Sequence, residues 1–444
     1  MLSIVFIKLC NIFLFIIVEI ECRRRGRGRG SYKRFTKQRK IQLEIKQDLM
    51  LGTINETNQH IFVANSVIPF CNTSYEEQLK WKEQQANNLC KKLGKNLQYI
   101  RTTMNYIYAT LVPSPVTTAY RNKDEFSVRH GVDGNPKTVG FLVGKLSIGR
   151  AMCVPPTHLM SIKESHKEIA KCFQEYIRLS GQPTCLNFGQ GFWRLLIVRS
   201  NEVGDLMACA VVYPFISTTA TEIEMLKMQQ YFEKRFPKIT LMYQVCAQSR
   251  CTQEEAPYEL LYGRPFLIET LKEYTFKISP DSFFQINKPA AIAMYNKAFE
   301  MLELNRNIVL LDLCCGTGVF SILASKRVKK AIGIESIKMS IRDAQESKKL
   351  NNVDNAEFIL GQVEKKLDYV INNLTSPEDE IVAILNPGRA GVGNKAINAL
   401  RNSTRISRIL YISCKPDYDS TFNNFVELSR TYSTTPPYRL TQAT

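Results

Sequence analysis

Two textures of hydrophobic and polar positions run along the chain. From about residue 305 the apolar runs "IVLLDL", "KAIGIES", "AEFILGQ", "IVAILNP" and "RILYISC" alternate with helical stretches around 319–328, 339–351, 364–374, 394–402 and 418–430. Near-continuous apolar strands spaced by helices predict a parallel sheet covered on both faces. Between about 113 and 275 the texture is different. Short β-rich runs such as "EFSVRHGVDG", "TVGFLVGKLS", "WRLLIVRS" and "LMACAVVYPF" are separated by Gly and Asn turns, which predicts an antiparallel sheet. Helices are expected around "SHKEIAKCFQEYIRLS" and "TEIEMLKMQQYFEKRF". Residues 76–110 carry helical periodicity and strong helix formers, ending before Pro113-Ser114-Pro115. The expected organisation is an α+β domain over 75–275 followed by an α/β domain over 276–444.

The first 40 residues stand apart. "IVFIKLCNIFLFIIVEI" resembles a signal-peptide core, yet the positive charge follows it in "RRRGRGRG", the wrong polarity for a secretory signal. Residues 1–40 are therefore read as a leader, disordered or targeting, with three readings open: a membrane anchor, an atypical organelle-targeting leader, or residues that are not part of the working protein. Its Arg/Gly tract resembles segments that track RNA phosphates. The leader carries +9 of the formal net charge of +18, so the rest of the chain is basic as well. Both parts suit a polyanionic partner. Thirteen irregularly spaced cysteines without a C-x-x-C pair suggest a reduced, intracellular protein, in the cytosol, nucleus or mitochondrion, and no metal. Cys246 and Cys251 come nearest to a pair, with no histidine near them.

Ligands of an open parallel sheet bind beyond the carboxyl ends of its strands. The first strand ends in "LLDLCCGTGVFS", where Gly316 and Gly318 open a turn into a helix, and Glu335 ends the second strand, placed for ribose hydroxyls. This pattern implies an adenosine-containing cofactor. Ser321 replaces the third glycine of a dinucleotide fingerprint, and Asp312 precedes the turn. A carboxylate there repels a pyrophosphate and attracts an amino group, so S-adenosyl-L-methionine is favoured over NAD. Asn386, Pro387, Arg389 and Cys414 fall on the same rim. A thiolate facing a methyl donor has a specific use: added to C6 of uracil, it makes C5 nucleophilic, and a base then removes the C5 proton.

The motifs "FKISPDSFFQIN", "LLDLCCGTG", "IGIE", "ILNPGRAG" and "LYISCKP" together resemble the uracil-5 methyltransferases of RNA, nearest to the eukaryotic enzymes that act on the tRNA T-loop. "TAYRNKDEFSVRHGVDG", "TVGFLVGKL" and "GFWRLLIVRS" extend the resemblance over about residues 90–440. It implies a class I, Rossmann-like methyltransferase domain behind an RNA-holding α+β domain. It also implies S-adenosyl-L-methionine as cofactor, tRNA as partner, and a monomer needing no metal or protein partner. Cys414 falls on the family's nucleophile, Gln285 and Asn386 on the cofactor side, and Glu335 on the ribose acid. Arg389 and the segment Tyr120, Arg121, Asn122, Lys123 fall on the substrate side. Trp193-Arg194 belongs there too, unless it is ordinary sheet packing.

Two departures accompany the resemblance. The family usually has Asp-Pro-Pro-Arg where this chain has Asn386-Pro387-Gly388-Arg389. The family's proton-abstracting Glu lies some 35–45 residues beyond the nucleophile, and this sequence ends at Thr444. "PPYRLTQAT" resembles the approach to the strand that bears it, and that strand and its Glu are expected to be absent. The alternative function is accordingly a catalytically impaired tRNA-binding homologue. An adenine amino-group methyltransferase is disfavoured because "NPGR" offers no aromatic face.

Overall fold

The computed structural model describes residues 14–20, 54–99, 109–145, 150–186, 189–430 and 438–444. The alternating textures become two seven-stranded sheets. In the chain's order, β1 (Leu14–Ile20) comes first and belongs to the second of these sheets. The first sheet holds β2 (Lys123–Arg129), β3 (Thr138–Lys145), β4 (Arg150–Val154), β5 (Trp193–Ser200), β6 (Leu206–Val212), β7 (Thr240–Val245) and β8 (Tyr258–Tyr262), in the order β4-β3-β2-β5-β6-β7-β8. Its pairs are antiparallel apart from β6 and β7, which are parallel. The helix Thr218–Glu233 lies between those two strands in sequence and makes the crossover that a parallel pair requires. That helix and Glu164–Leu179 bury Met225, Met228, Phe173 and Ile177 against the sheet. Trp193 is fully buried there, edge-on to Phe173, and so belongs to the packing and not to an open substrate face.

A hairpin of β9 (Leu267–Leu271) and β10 (Tyr274–Ile278) leads into the C-terminal unit. There β11 (Ile308–Leu313), β12 (Lys330–Glu335), β13 (Ala356–Leu360), β14 (Glu380–Leu385) and β15 (Ile406–Ser413) are all parallel, in the order β13-β12-β11-β14-β15. This is the doubly wound arrangement expected of a class I methyltransferase, with the order reversing between β11 and β14. One face is covered by the helices Lys288–Met301, Val319–Ala324 and Lys338–Leu350. The other is covered by Val363–Leu374, Asn394–Asn402 and Asp419–Ser429.

Three expectations are corrected. The helix Tyr75–Tyr99 lies within the span expected for the α+β domain, yet its stripe Ala86, Cys90, Leu93, Leu97 packs on the C-terminal sheet. An amphipathic stripe fixes which side is buried and leaves the partner open. Val63 of the preceding helix Gln59–Val67 packs on the other sheet, so the N-terminal segment straddles both units. Second, "PPYRLTQAT" does yield a strand, β16 (Tyr438–Ala443), with Tyr438 fully buried. Between β15 and β16 runs β1, antiparallel to both, so residues 14–20 of the expected leader are part of the sheet. The Arg/Gly tract and the rest of residues 1–40 lie outside the described residues. Third, Cys246 and Cys251 form a disulfide, where reduced thiols were expected. Among the described residues no helix is long and apolar enough to cross a membrane.

Candidate active site

Register alone assembles the rim. Leu313 of β11 pairs with Ile334 of β12 and Leu385 of β14, and Leu385 pairs with Tyr411 of β15. The residues that follow these strand ends, Cys314, Glu335, Asn386 and Cys414, therefore stand along one edge. The Asn386 amide extends the pairing by donating to the Leu313 carbonyl at 3.2 Å.

The turn after β11 is shaped by backbone that side chains resist. Gly318 has φ +75°, and a Cβ there would lie 2.5 Å from Phe358 and 3.0 Å from Ala344. Gly318→Ala is expected to destabilise the fold by roughly 2–4 kcal/mol through strain and overpacking, read as a lowered thermal midpoint. Gly316 (φ +55°) faces open space, which leaves a backbone cradle. Glu335 closes it: one oxygen accepts the Gly316 amide at 3.1 Å, the other the amides of Ser336 and Ile337 at 2.7 and 2.9 Å.

Behind the turn, Asp312 is completely buried. Its Oδ2 accepts both the amide and the hydroxyl of Ser321, at 3.1 and 2.8 Å, which explains why a serine replaces the third glycine. Its Oδ1 is buried without a hydrogen-bond partner. Burial pushes the carboxyl up to about 7, against the two Ser321 bonds, with Glu335 adding to the rise. A buried orphan acceptor beside an open glycine cradle and an acid at the next strand end fits S-adenosyl-L-methionine.

Gln285 sits in a loop fastened from both units. Asn122 donates from its side chain to the Gln285 carbonyl at 2.9 Å and from its amide to Ile286 at 3.0 Å. Arg199 donates to the carbonyls of Pro280 and Ser282, and Asp343 accepts from the hydroxyls of Ser279 and Ser282. Burial lowers the Arg199 guanidinium to about 10 and raises the Asp343 carboxyl. Arg121 is buried and pairs with Asp124, which His166 contacts at 2.8 Å. Arg121 and Asn122 thus act as internal fasteners between the units, while Tyr120 and Lys123 are partly exposed. Their expected place on an open substrate surface is corrected for those two. Arg194 donates to the carbonyls of Cys246 and Ser249, bracing the disulfide loop.

Cys414 is exposed at the end of β15, whereas Cys90, Cys153, Cys172, Cys185, Cys209 and Cys315 are buried. Desolvation raises the Cys314 thiol to about 12, and Cys315 is also raised well above the ordinary range, so this pair acts as packing. The loop after β14, bearing Arg389 on the surface, is held against β15. Asn424 accepts from the Val392 amide and the Tyr411 hydroxyl, each at 2.9 Å, and donates to the Val392 carbonyl at 3.0 Å. Thr421 and Ser420 hydroxyls bond the carbonyls of Arg389 and Ala390. Sequence reasoning missed Asp343, Arg199 and Asn424, because a buried polar residue leaves no periodic signal. Among the described residues no group of His, Cys, Asp or Glu is arranged to hold a metal.

Several known proteins are similar to this chain. The family model described as tRNA (Uracil-5-)-methyltransferase matches residues 240–436. The chain is 38% identical over 377 residues to tRNA (uracil-5-)-methyltransferase homolog B of Danio rerio, covering 82% of this chain and 78% of that protein. It is 36% identical over 424 residues to homolog B of Homo sapiens, covering 90% and 82%. A solved structure, Pyrococcus abyssi tRNA (uracil-54, C5)-methyltransferase in complex with S-adenosyl-L-homocysteine, has a TM-score of 0.56 at 22% identity. It covers 79% of this chain and 74% of that one, and it has the same fold.

Proposed function

The chain belongs to the tRNA (uracil-5-)-methyltransferase family, and on that premise we propose that it methylates C5 of a uridine in tRNA, the T-loop uridine foremost. The observation that supports this most is the exposed Cys414 on the same strand-end rim as Asp312, Glu335 and the Gly316 cradle. S-adenosyl-L-methionine, when bound, supplies an electrophilic methyl group. The thiolate of Cys414 adds to C6 of the uracil, and the electron pair moves onto C5 and O4, making C5 the nucleophile. After transfer, a base takes the C5 proton, the C5–C6 double bond re-forms and the thiolate leaves. The α+β unit is the part proposed to hold the RNA.

The test is transfer of labelled methyl to a tRNA transcript, with nucleoside analysis of the product. Label recovered as 5-methyluridine is the expected result. Label absent from uridine, with cofactor bound normally, sinks the assignment.

A second reading is favoured by one observation. The strand beside β15 is β1, and its register sets Glu19 opposite Arg408, near the start of β15 and far from Cys414. By register, β1 sets no acidic residue opposite the end of β15 that leads to Cys414. On this reading Cys414 captures the RNA and the chain releases it slowly or not at all. A denaturation-resistant protein–tRNA adduct without multiple turnovers separates this reading from the first.

A further inference from the structure

One cavity lined by described residues has no part in the site above. It encloses about 570 Å³, and neither Gly316, Glu335, Asn386 nor Cys414 lines it. Its walls come from both units: the helices Gln59–Val67 and Tyr75–Tyr99, the segment 111–118, Tyr120, residues 158–161 and the start of the helix Lys288–Met301. The Tyr75 hydroxyl accepts the Ser114 amide at 2.6 Å, and the Asn287 side chain donates to the Ser114 hydroxyl, so the 111–118 wall is fixed from two sides.

Three properties say what fits. Lys82, His60 and His158 are in the wall, together with Thr444. The His60 and His158 rings lie 5.2 Å apart, with Phe70 and Tyr120 also lining the cavity. Its rim is apolar and open to solvent: Ile61, Val112, Val116 and Met160 are 50, 44, 38 and 67% exposed. A volume of this size suits a compact organic group rather than a single ion. Flat apolar and aromatic faces suit a base. The cavity also continues the cofactor-facing loop, since Asn287 in its wall stands two residues beyond Gln285.

We propose that this cavity takes one unstacked nucleotide of the tRNA other than the uridine to be methylated, and so helps to select the RNA. The inference rests on the tRNA reading above. The target uridine itself is assigned to Cys414, which is not in these walls.

The experiment uses the full chain and a tRNA transcript carrying 4-thiouridine in place of uridine. After photocrosslinking, mass spectrometry should map linked nucleotides to cavity residues such as Tyr120, His158 and Met160. In parallel, Ala293→Phe and Ala64→Phe fill the cavity from opposite walls. Each is expected to weaken tRNA affinity by about tenfold, with cofactor affinity and thermal midpoint unchanged. Crosslinks confined to other surfaces overturn the proposal, and so does a filled cavity with undiminished tRNA affinity. If a filled variant does not fold, the crosslinks on the unaltered chain decide. If the unaltered chain binds tRNA no better than an unrelated RNA of equal length, the tRNA reading fails first. Specific tRNA binding without cavity crosslinks leaves that reading intact and removes only this one.

Discussion

Cys414→Ala is expected to lower the methylation rate by about 10⁴-fold or more, the scale on which loss of a covalent nucleophile is felt. Because Cys414 is exposed, the truncation removes no packing, and stability should change by no more than about 0.5 kcal/mol. Affinity for S-adenosyl-L-methionine and for tRNA should also be retained, since Asp312, Glu335 and the loop braced by Asn424 are untouched. A tRNA containing 5-fluorouridine adds a direct reading of the chemistry. Fluorine at C5 cannot leave as a cation, so the unaltered chain should accumulate a protein–RNA adduct that survives denaturation, and Cys414→Ala should give none. Cys314 and Cys315 cannot substitute, because burial keeps their thiols protonated. Methylation of undiminished rate by Cys414→Ala would remove the thiol from the mechanism.

The rim was legible in the sequence because its signals are local. An apolar strand followed by glycine, or by an acid, or by cysteine marks a strand end wherever the strand lies, and parallel pairing then brings the ends together. The fasteners behind the rim were not legible, since each joins residues remote in sequence: Asn122 to Gln285, Arg199 to Ser282, Asn424 to Val392. Arg121 shows the other side of the same difficulty. Within "YRNK" it looks like a substrate-side residue, and only burial beside Asp124 reveals an internal ion pair. The segment "LFIIVEI" was misread for a related reason. Hydrophobicity says that a segment leaves water and not where it goes, and here residues 14–20 pair within a sheet. The helix Tyr75–Tyr99 was placed correctly as a helix and assigned to the wrong partner, because its stripe carries no address.

Asp312 gives the second large effect, and its sign follows from burial. An ordinary aspartate ionises near 4, whereas this one is held up to about 7. The folded chain therefore keeps a proton that the unfolded chain has lost. The stability this carboxyl contributes is full below about pH 4, declines between about 4 and 7, and is flat above. Binding of an ammonium group reverses the preference, because a cation beside the orphan Oδ1 stabilises the carboxylate. Below pH 7, binding S-adenosyl-L-methionine must then expel the proton from Asp312, and its dissociation constant should fall by up to tenfold per pH unit as pH rises toward 7. Above about 8 the gain ends as the ligand's own amino group, ordinarily near 7.7–8.0, loses its charge. Calorimetry at pH 6 in two buffers of different ionisation enthalpy should show proton release on binding. Asp312→Asn removes both the release and the pH slope, weakens binding by roughly ten- to a hundredfold at pH 7.5, and raises the thermal midpoint there, since an amide can stay buried without ionising. A dissociation constant that is level from pH 6 to 7.5 in the unaltered chain would show that Asp312 does not face the ligand's amino group.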